Sequence, residues 1–345
     1  MNQTYIIYTH KIDNKIQYYF IIITTKMGIP RLNKLLMEQC PNAIEKVHVE
    51  TLLNKKIAVD ISIYLYKFIA DGDYMEHLYL FLSMFKYYCI VPIFIFDGKP
   101  PPEKSALLKR RYCEKQEAYK EYKLLEQQLT EISDPKKLEE LANTMNSLKK
   151  KMIRITSDHI NKAIILIKAF GFQHYFAPNE ADQLCVYLTT SGTTYATLSD
   201  DMDMIVSGCP IVLRNLSLMN HEVFIYNTAQ IVKALGVSLD EFRDIVVLSG
   251  SDYEISSNNN NISIRRAFEY YQKYRESQCT NDFYTWLNET CIIENTDVYK
   301  ISALMNINNY TNILEEFIKK NILEKPKFSV STIKTIMKQY KFIFI

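Results

Sequence analysis

Seven carboxylates fall at or just beyond short apolar runs, and that placement is the chemistry-bearing signal of this chain. Asp60 closes Ile57-Ala58-Val59, and Asp97 closes Ile93-Phe94-Ile95-Phe96. Glu180 and Asp182 follow Tyr175-Phe176-Ala177-Pro178, Asp201 and Asp203 follow Tyr195-Ala196-Thr197-Leu198, and Asp252 ends Leu248-Ser249-Gly250-Ser251. If the runs are parallel strands, acids at their carboxyl ends converge on one crevice. Convergent carboxylates repel one another and are tolerated together only beside cations. Hard oxygen donors favour Mg²⁺, with Mn²⁺ able to substitute. Taken singly, each acid has an ordinary structural reading. Asp60 suits a helix N-cap, and in Pro178-Asn179-Glu180-Ala181-Asp182 Asn179 could cap while the acids favour the helix dipole. Asp200-Asp201-Met202-Asp203 is harder to explain that way, because three acids in four residues after a buried strand are costly without a cation. Jointly the acids read as a metal site. Two Mg²⁺ ions suit phosphodiester hydrolysis, activating water and stabilising the leaving oxygen. Lys104, Lys109, Arg110 and Arg111 would draw in and clamp the phosphate; the bland reading of that run is a basic helix end.

Apolar runs at 56–60, 92–96, 174–176, 195–198, 211–214 and 223–226 are the expected strands, with helices expected at 31–39, 63–69, 75–88, 160–170, 181–189 and 228–235. That alternation predicts an α/β fold, a mostly parallel sheet with helices on both faces. At 345 residues and 48% hydrophobic the chain can bury a sizeable core, and a net charge of +2 requires any nucleic-acid surface to come from local clustering. Seven scattered cysteines without a Cys-x-x-Cys pair point to an intracellular, reducing compartment and away from structural zinc. Residues 1–26 read as an extension outside the fold, with Met27 as the functional start. Their longest apolar run is too short to span a bilayer, and they show no signal-peptide pattern. An α/β core is expected over 27–253. Its insert at about 99–157 is helix-forming from 107 to 130 and again from 136 to 153, with a break at Asp134-Pro135. From 99 to 168 there are 16 Lys and Arg against 10 Asp and Glu. Residues 254–325 read as a polar helical region after the Asn-rich 256–261 loop, and 326–345 as a closing helix with a short tail.

The ordered set of motifs resembles the XPG-like structure-specific 5′ nucleases, the flap endonuclease family, from Met27 to about Lys341. Met27-Gly28-Ile29 with Leu32 and Leu35-Leu36 is similar to the family's amino terminus. Val59-Asp60-Ile61-Ser62 and Phe96-Asp97-Gly98-Lys99-Pro100-Pro101 match its first two acidic motifs, Glu180-Ala181-Asp182 and Asp201-Met202-Asp203 the internal pair, and Leu248 to Tyr253 the last. The resemblance implies Mg²⁺-dependent cleavage of DNA near a single-strand/double-strand junction with a 5′ flap or free 5′ end, in replication or repair. It implies that Asp60, Asp97, Glu180, Asp182, Asp201, Asp203 and Asp252 hold two Mg²⁺ ions. Lys104 and Arg111 fall on the family's two catalytic basic positions at the base of a helical arch, formed here by the insert. Tyr66 falls where an aromatic stacks on the nucleobase beside the cut. Gly28 would lie near the DNA.

Three departures retune these expectations. Asp182 stands where the family usually has glutamate, one methylene longer, a choice shared by exonuclease-like relatives. Residues 70–76 are short for the region that accommodates a 3′ flap. The glycine-rich hairpin that binds the duplex backbone through K⁺ is Asn261-Ile262-Ser263-Ile264-Arg265-Arg266-Ala267 here, with neither glycine. Asn tolerates left-handed backbone better than Ser, so K⁺ binding is disfavoured and duplex anchoring weaker, with Arg265 and Arg266 still meeting phosphate. Alternatives to a flap endonuclease are a mainly 5′→3′ exonuclease and a silent nucleic-acid binder; retention of every acid weighs against the latter. The tail Gln339 to Ile345 lacks the paired terminal aromatics of a clamp-binding box, so no sliding-clamp partner is expected. A monomer without membrane association, at a nuclear or viral replication site, completes the expectation.

Overall fold

The computed structural model describes residues 29–128, 134–250, 262–290, 292, 297–321 and 325–344. Seven strands form one sheet in the order β1-β7-β6-β5-β2-β3-β4. They are β1 (Ile44–His48), β2 (Lys56–Asp60), β3 (Val91–Phe96), β4 (Gln173–Phe176), β5 (Ala196–Leu198), β6 (Ile211–Ser217) and β7 (Glu222–Asn227). The run β4-β3-β2-β5-β6 is parallel, and β7 and β1 close one side antiparallel. The expected α/β class and all six expected strands are present. The addition is β1, an edge strand whose Ile-Glu-Lys-Val-His sequence carries no apolar run and is held by five-residue pairing to β7.

Central strands are apolar on both sides because both faces of the sheet are covered. Ile57, Ala58 and Val59 of β2 are fully inaccessible, as are Phe94 and Ile95 of β3. Burying an Ile or Phe side chain stabilises by roughly 1.5–3 kcal/mol, so these strands anchor the fold. One face packs α1 (Leu32–Gln39), α7 (Ala181–Thr190), the short α8 (Asp203–Val206), α9 (Thr228–Leu235) and α10 (Leu239–Val247). The core on that face continues into α11 (Ile264–Glu276), α12 (Phe283–Glu289), α13 (Asp297–Met305) and α14 (Thr311–Lys320). The other face packs α2 (Ile61–Asp71), α3 (Tyr74–Tyr87), α6 (Ser157–Ala169) and α15 (Val330–Lys338). Helices α2 and α3 are joined by Gly72 and Asp73 alone, and the turn needs glycine because φ there is +101°.

The insert forms α4 (Ser105–Gln128) and α5 (Pro135–Lys151), which pack on each other, with Leu107, Ala118, Met145 and Leu148 buried. None of these four belongs to either large core. The Asp134 carboxylate caps α5 by accepting from the Lys136 amide. Ser263 is not a left-handed turn residue. It is the extended N-cap of α11, its hydroxyl accepting from the Arg266 amide at 3.4 Å. Asn261 lies outside the described residues. In the tail, Phe342 and Phe344 fold back on Tyr79 of α3, with ring centroids 4.8 and 5.9 Å away. Among the described residues no helix is long and apolar enough to cross a membrane, and the described cysteines Cys40, Cys89, Cys113, Cys185, Cys209 and Cys279 are free thiols.

Candidate active site

After β2 the chain builds β3 and β4 outward on one side, then returns to place β5 on the other side of β2. The crevice beyond the carboxyl ends of β2 and β5 is therefore a topological switch point, where open α/β sheets bind ligands. Asp60 ends β2, and Asp201 and Asp203 follow β5 across that gap. Asp97 follows β3, while Glu180 and Asp182 enter on the first turn of α7.

The loops that aim these acids are tightly fastened. The Ser199 hydroxyl donates to Asp60 Oδ2 at 3.1 Å and accepts from the Asp201 amide at 3.2 Å, tying β2 to the loop after β5. The Asp203 amide donates to Asp201 Oδ1 at 3.0 Å. Asp97 Oδ1 accepts from the Ala181 amide at 3.0 Å, so the cap of α7 comes from Asp97 rather than Asn179. Gly98 makes that approach possible: its amide donates to Asn179 O at 2.7 Å, and a Cβ there would meet Ala177 O at 2.0 Å.

Electrostatics register the crowding. Burial, then repulsion from Asp97, Asp182 and Asp201, pushes the Asp60 carboxyl well above the usual carboxylate range. Asp182 is pushed up to about 7 by burial and by Glu180, Asp201 and Asp97, with Lys104 opposing. The Lys104 ammonium donates to Glu180 Oε1 at 2.6 Å, both side chains being only 13% exposed. Burial works against its charge, but Asp182, Glu180 and Asp203 more than offset that and hold Lys104 above its usual range. Lys104 is thus a built-in counter-ion among the acids. Among the described residues no three acidic, His or Cys side chains are drawn close enough to hold a metal ion. The donor set nonetheless fits Mg²⁺: it is all carboxylate oxygen, and repulsion raises the affinity of Asp60 and Asp182 for a positive partner. Closing it requires the acids to draw in around the ion while the lysine yields.

Tyr66 lies on α2 beside this crevice, half-buried at the root of the insert. Its hydroxyl donates to Ile153 O at 3.2 Å, and Lys115 Nζ, which donates to the same carbonyl at 2.8 Å, stands 5.3 Å from its ring centroid. Arg111 and Arg154 act on the same spot: burial and then these two cations lower the Lys115 pKa. Two more tyrosines of α4 carry cations from the returning arm, Arg154 at 5.2 Å from the Tyr112 ring and Lys149 at 5.6 Å from the Tyr122 ring. Positions 112, 115, 119 and 122 share one face of α4. The structure therefore brings Asp60, Asp97, Glu180, Asp182, Asp201, Asp203 and Lys104 together, and sets Arg111 and Tyr66 near each other and Lys115 at the root of the insert. Lys109 is exposed on α4, and Arg110 faces Glu114 at 3.9 Å. Arg265 pairs with Glu38 of α1, and Arg266 Nε donates to Tyr270 Oη at 2.7 Å. Gly28 and Asp252 lie outside the described residues. Sequence reasoning missed Lys67, Lys115, Tyr112 and Arg154; the i, i+3, i+7 recurrence of Tyr and Lys on α4 was the available signal for two of them.

The XPG N-terminal domain family matches residues 27–118, and the XPG I-region family matches residues 171–252. Flap endonuclease 1 of Glossina morsitans morsitans is 30% identical over 271 residues, covering 72% of this chain and 67% of that protein. Flap endonuclease 1 of Mycosarcoma maydis is 30% identical over 247 residues, covering 66% of this chain, which spans 63% of that relative's length. Among solved structures, the catalytic core of Rad2 superposes with a TM-score of 0.56 at 19% identity, covering 88% of this chain and 92% of that one. Flap endonuclease-1 from Methanococcus jannaschii gives a TM-score of 0.53 at 21% identity, covering 88% and 98%. At those identities the likeness is one of fold.

Proposed function

Because this chain belongs to the XPG-type flap endonuclease family, we propose that it hydrolyses DNA phosphodiesters at 5′ flaps and single-strand/double-strand junctions. The observation that carries the proposal is the cluster of mutually repelling carboxylates at the switch point, with Lys104 set among them. Asp60, Asp97, Glu180, Asp182, Asp201 and Asp203, joined by Asp252, would hold two Mg²⁺ ions. When bound, the ions supply a nucleophilic water and charge stabilisation at the leaving oxygen. The chain's own groups do the rest. Lys104 and Arg111 meet the scissile phosphate and offset the charge that develops on it. Tyr66 stacks on the base beside the cut and so sets which bond is presented. The α4–α5 hairpin, whose Tyr112 and Tyr122 are each paired with a cation, receives the 5′ strand. DNA replication or repair is the setting that suits such an activity.

A mainly exonucleolytic 5′→3′ action is the second reading, favoured by Asp182 and by the two-residue connection between α2 and α3, which leaves little chain to embrace a 3′ flap. Cleavage of 5′-labelled single-flap DNA with Mg²⁺ tests both, using the full chain and the chain from Met27 side by side. Nicked and blunt duplexes run alongside, with Asp201→Ala plus Asp203→Ala as the blank. Cuts at the flap junction, absent in the blank, are the expected result. Cuts confined to nicks and duplex ends would favour the exonuclease, and flap binding without cleavage would favour a silent binder.

A further inference from the structure

Asp200 is the acid of the Asp200-Asp201-Met202-Asp203 run that the crowded cluster does not need. It is 15% exposed, and its carboxylate is bonded on both oxygens. Oδ2 takes the Lys67 ammonium, and Oδ1 accepts from the Asn215 amide of β6 at 2.7 Å. Its own carbonyl accepts from Arg214 Nη2 at 2.7 Å. Arg214 is itself buried and fixed: Nη1 donates to Asn33 Oδ1 at 2.8 Å, and Asn33 Oδ1 also accepts from Tyr226 Oη at 2.7 Å. Lys67 has a second hold on its position, lying 5.4 Å from the Tyr64 ring centroid. One residue is therefore pinned from α2 and β6, with Asn33 of α1 holding Arg214 in place behind it, and the next residue along is Asp201.

From this geometry we infer that the Lys67–Asp200 pair is a positioning lock for the proposed reaction: it turns Asp200 away from the carboxylate cluster and fixes the loop that presents Asp201 and Asp203. The inference rests on the nuclease reading for its consequence but not for its structure. Without the lysine, Asp200 has a free negative charge one residue from Asp201 and is able to swing toward any cation the cluster attracts, competing with the productive acids. Groups that orient other ligands in this way typically change metal affinity or activity about 10–100-fold when removed.

The test uses Lys67→Met, Lys67→Arg, Asp200→Asn and the double variant Lys67→Met with Asp200→Asn in the full-length chain. Lys67 is 42% exposed, so Lys67→Met keeps the fold even if Asp200→Asn does not. Hydrogen exchange is read first, without metal or DNA. Exchange at the Asn215, Asp201 and Asp203 amides should rise about tenfold in Lys67→Met, with α3 unchanged, and return to the parent rate in Lys67→Arg. In flap cleavage at saturating Mg²⁺, kcat should fall about tenfold with KM for DNA unchanged, and the double variant should be no worse than the worse single. Unchanged exchange in Lys67→Met, failure of Lys67→Arg to restore it, or additive losses in the double variant would overturn the lock. If the parent chain cleaves nothing, the nuclease reading fails while the exchange result still decides the lock.

Discussion

The carboxylate cluster should make the metal-free protein lose stability as pH rises, and Asp182 is the residue through which to measure it. Its pKa is about 7 when folded, against 3.8 for a free aspartate. Between those values the folded state holds a proton that the unfolded state has released, so stability falls with rising pH until the folded carboxyl has ionised. From pH 5.5 to pH 8.5 the folded chain gives up that proton over about 1.5 effective pH units, a loss of roughly 2 kcal/mol. Asp182 keeps a little solvent exposure, which makes that figure an upper one. Asp60, raised by burial and by the same neighbours, adds in the same direction. His174 and His221, both lowered by burial, act oppositely as pH rises toward their unfolded value. The comparison that cancels them is with Asp182→Asn. Urea unfolding across pH 5.5–8.5 in chelator should show the parent losing about 2 kcal/mol relative to Asp182→Asn. Saturating Mg²⁺, which binds the ionised acids, should abolish or reverse the slope. A parent and variant that run parallel in chelator across that range would refute the account of the cluster.

Lys104→Ala should lower single-turnover flap cleavage about 10²–10³-fold, the cost of removing one charge-stabilising donor, while flap affinity measured by anisotropy stays within severalfold. Tyr112→Ala should weaken binding of single-stranded flap by about 1–3 kcal/mol and leave blunt-duplex binding alone, which gel shifts with matched substrates would check. Arg265→Ala plus Arg266→Ala should reduce the salt slope of duplex binding by about 2 if both meet phosphate. Because Arg265 is already paired with the exposed Glu38, a reduction near 1 would assign the contact to Arg266 alone, and an unchanged slope would remove both.

The central parallel strands β2, β3 and β5 were legible because they are buried on both faces and so read as unbroken apolar runs. Those same runs located the acids, since in such a sheet a site residue stands where a hydrophobic stretch stops. The edge strand β1 was not legible: Ile44 to His48 has the composition of a loop, and only the register with β7 makes it a strand. The roles of single acids were half legible. Asp97 reads as a site residue, yet part of its bonding goes to capping α7, a helix that begins 84 residues later. In the sequence Asp200 takes no role of its own and reads only as one of three acids in four residues. Its actual partner, Lys67, lies 133 residues away, and no local pattern carries that. Ser263 was judged against the glycine it replaces, whereas here it does what serines do well and starts a helix.

Leu107 and Ala118 of α4 and Met145 and Leu148 of α5 are buried yet belong to neither large core. The hairpin therefore has its own melting behaviour. Few buried side chains set its resistance to heat, while two large cores set that of the sheet beneath it. If the chain acts as proposed, a warming sample would lose its grip on a single strand before it lost the carboxylate site, leaving a molecule intact by calorimetry and idle in the test tube. Selection acting on the temperature range of such a protein would find its easiest purchase at Ala118, Met145 and Leu148, outside the cluster of charges proposed to do the chemistry.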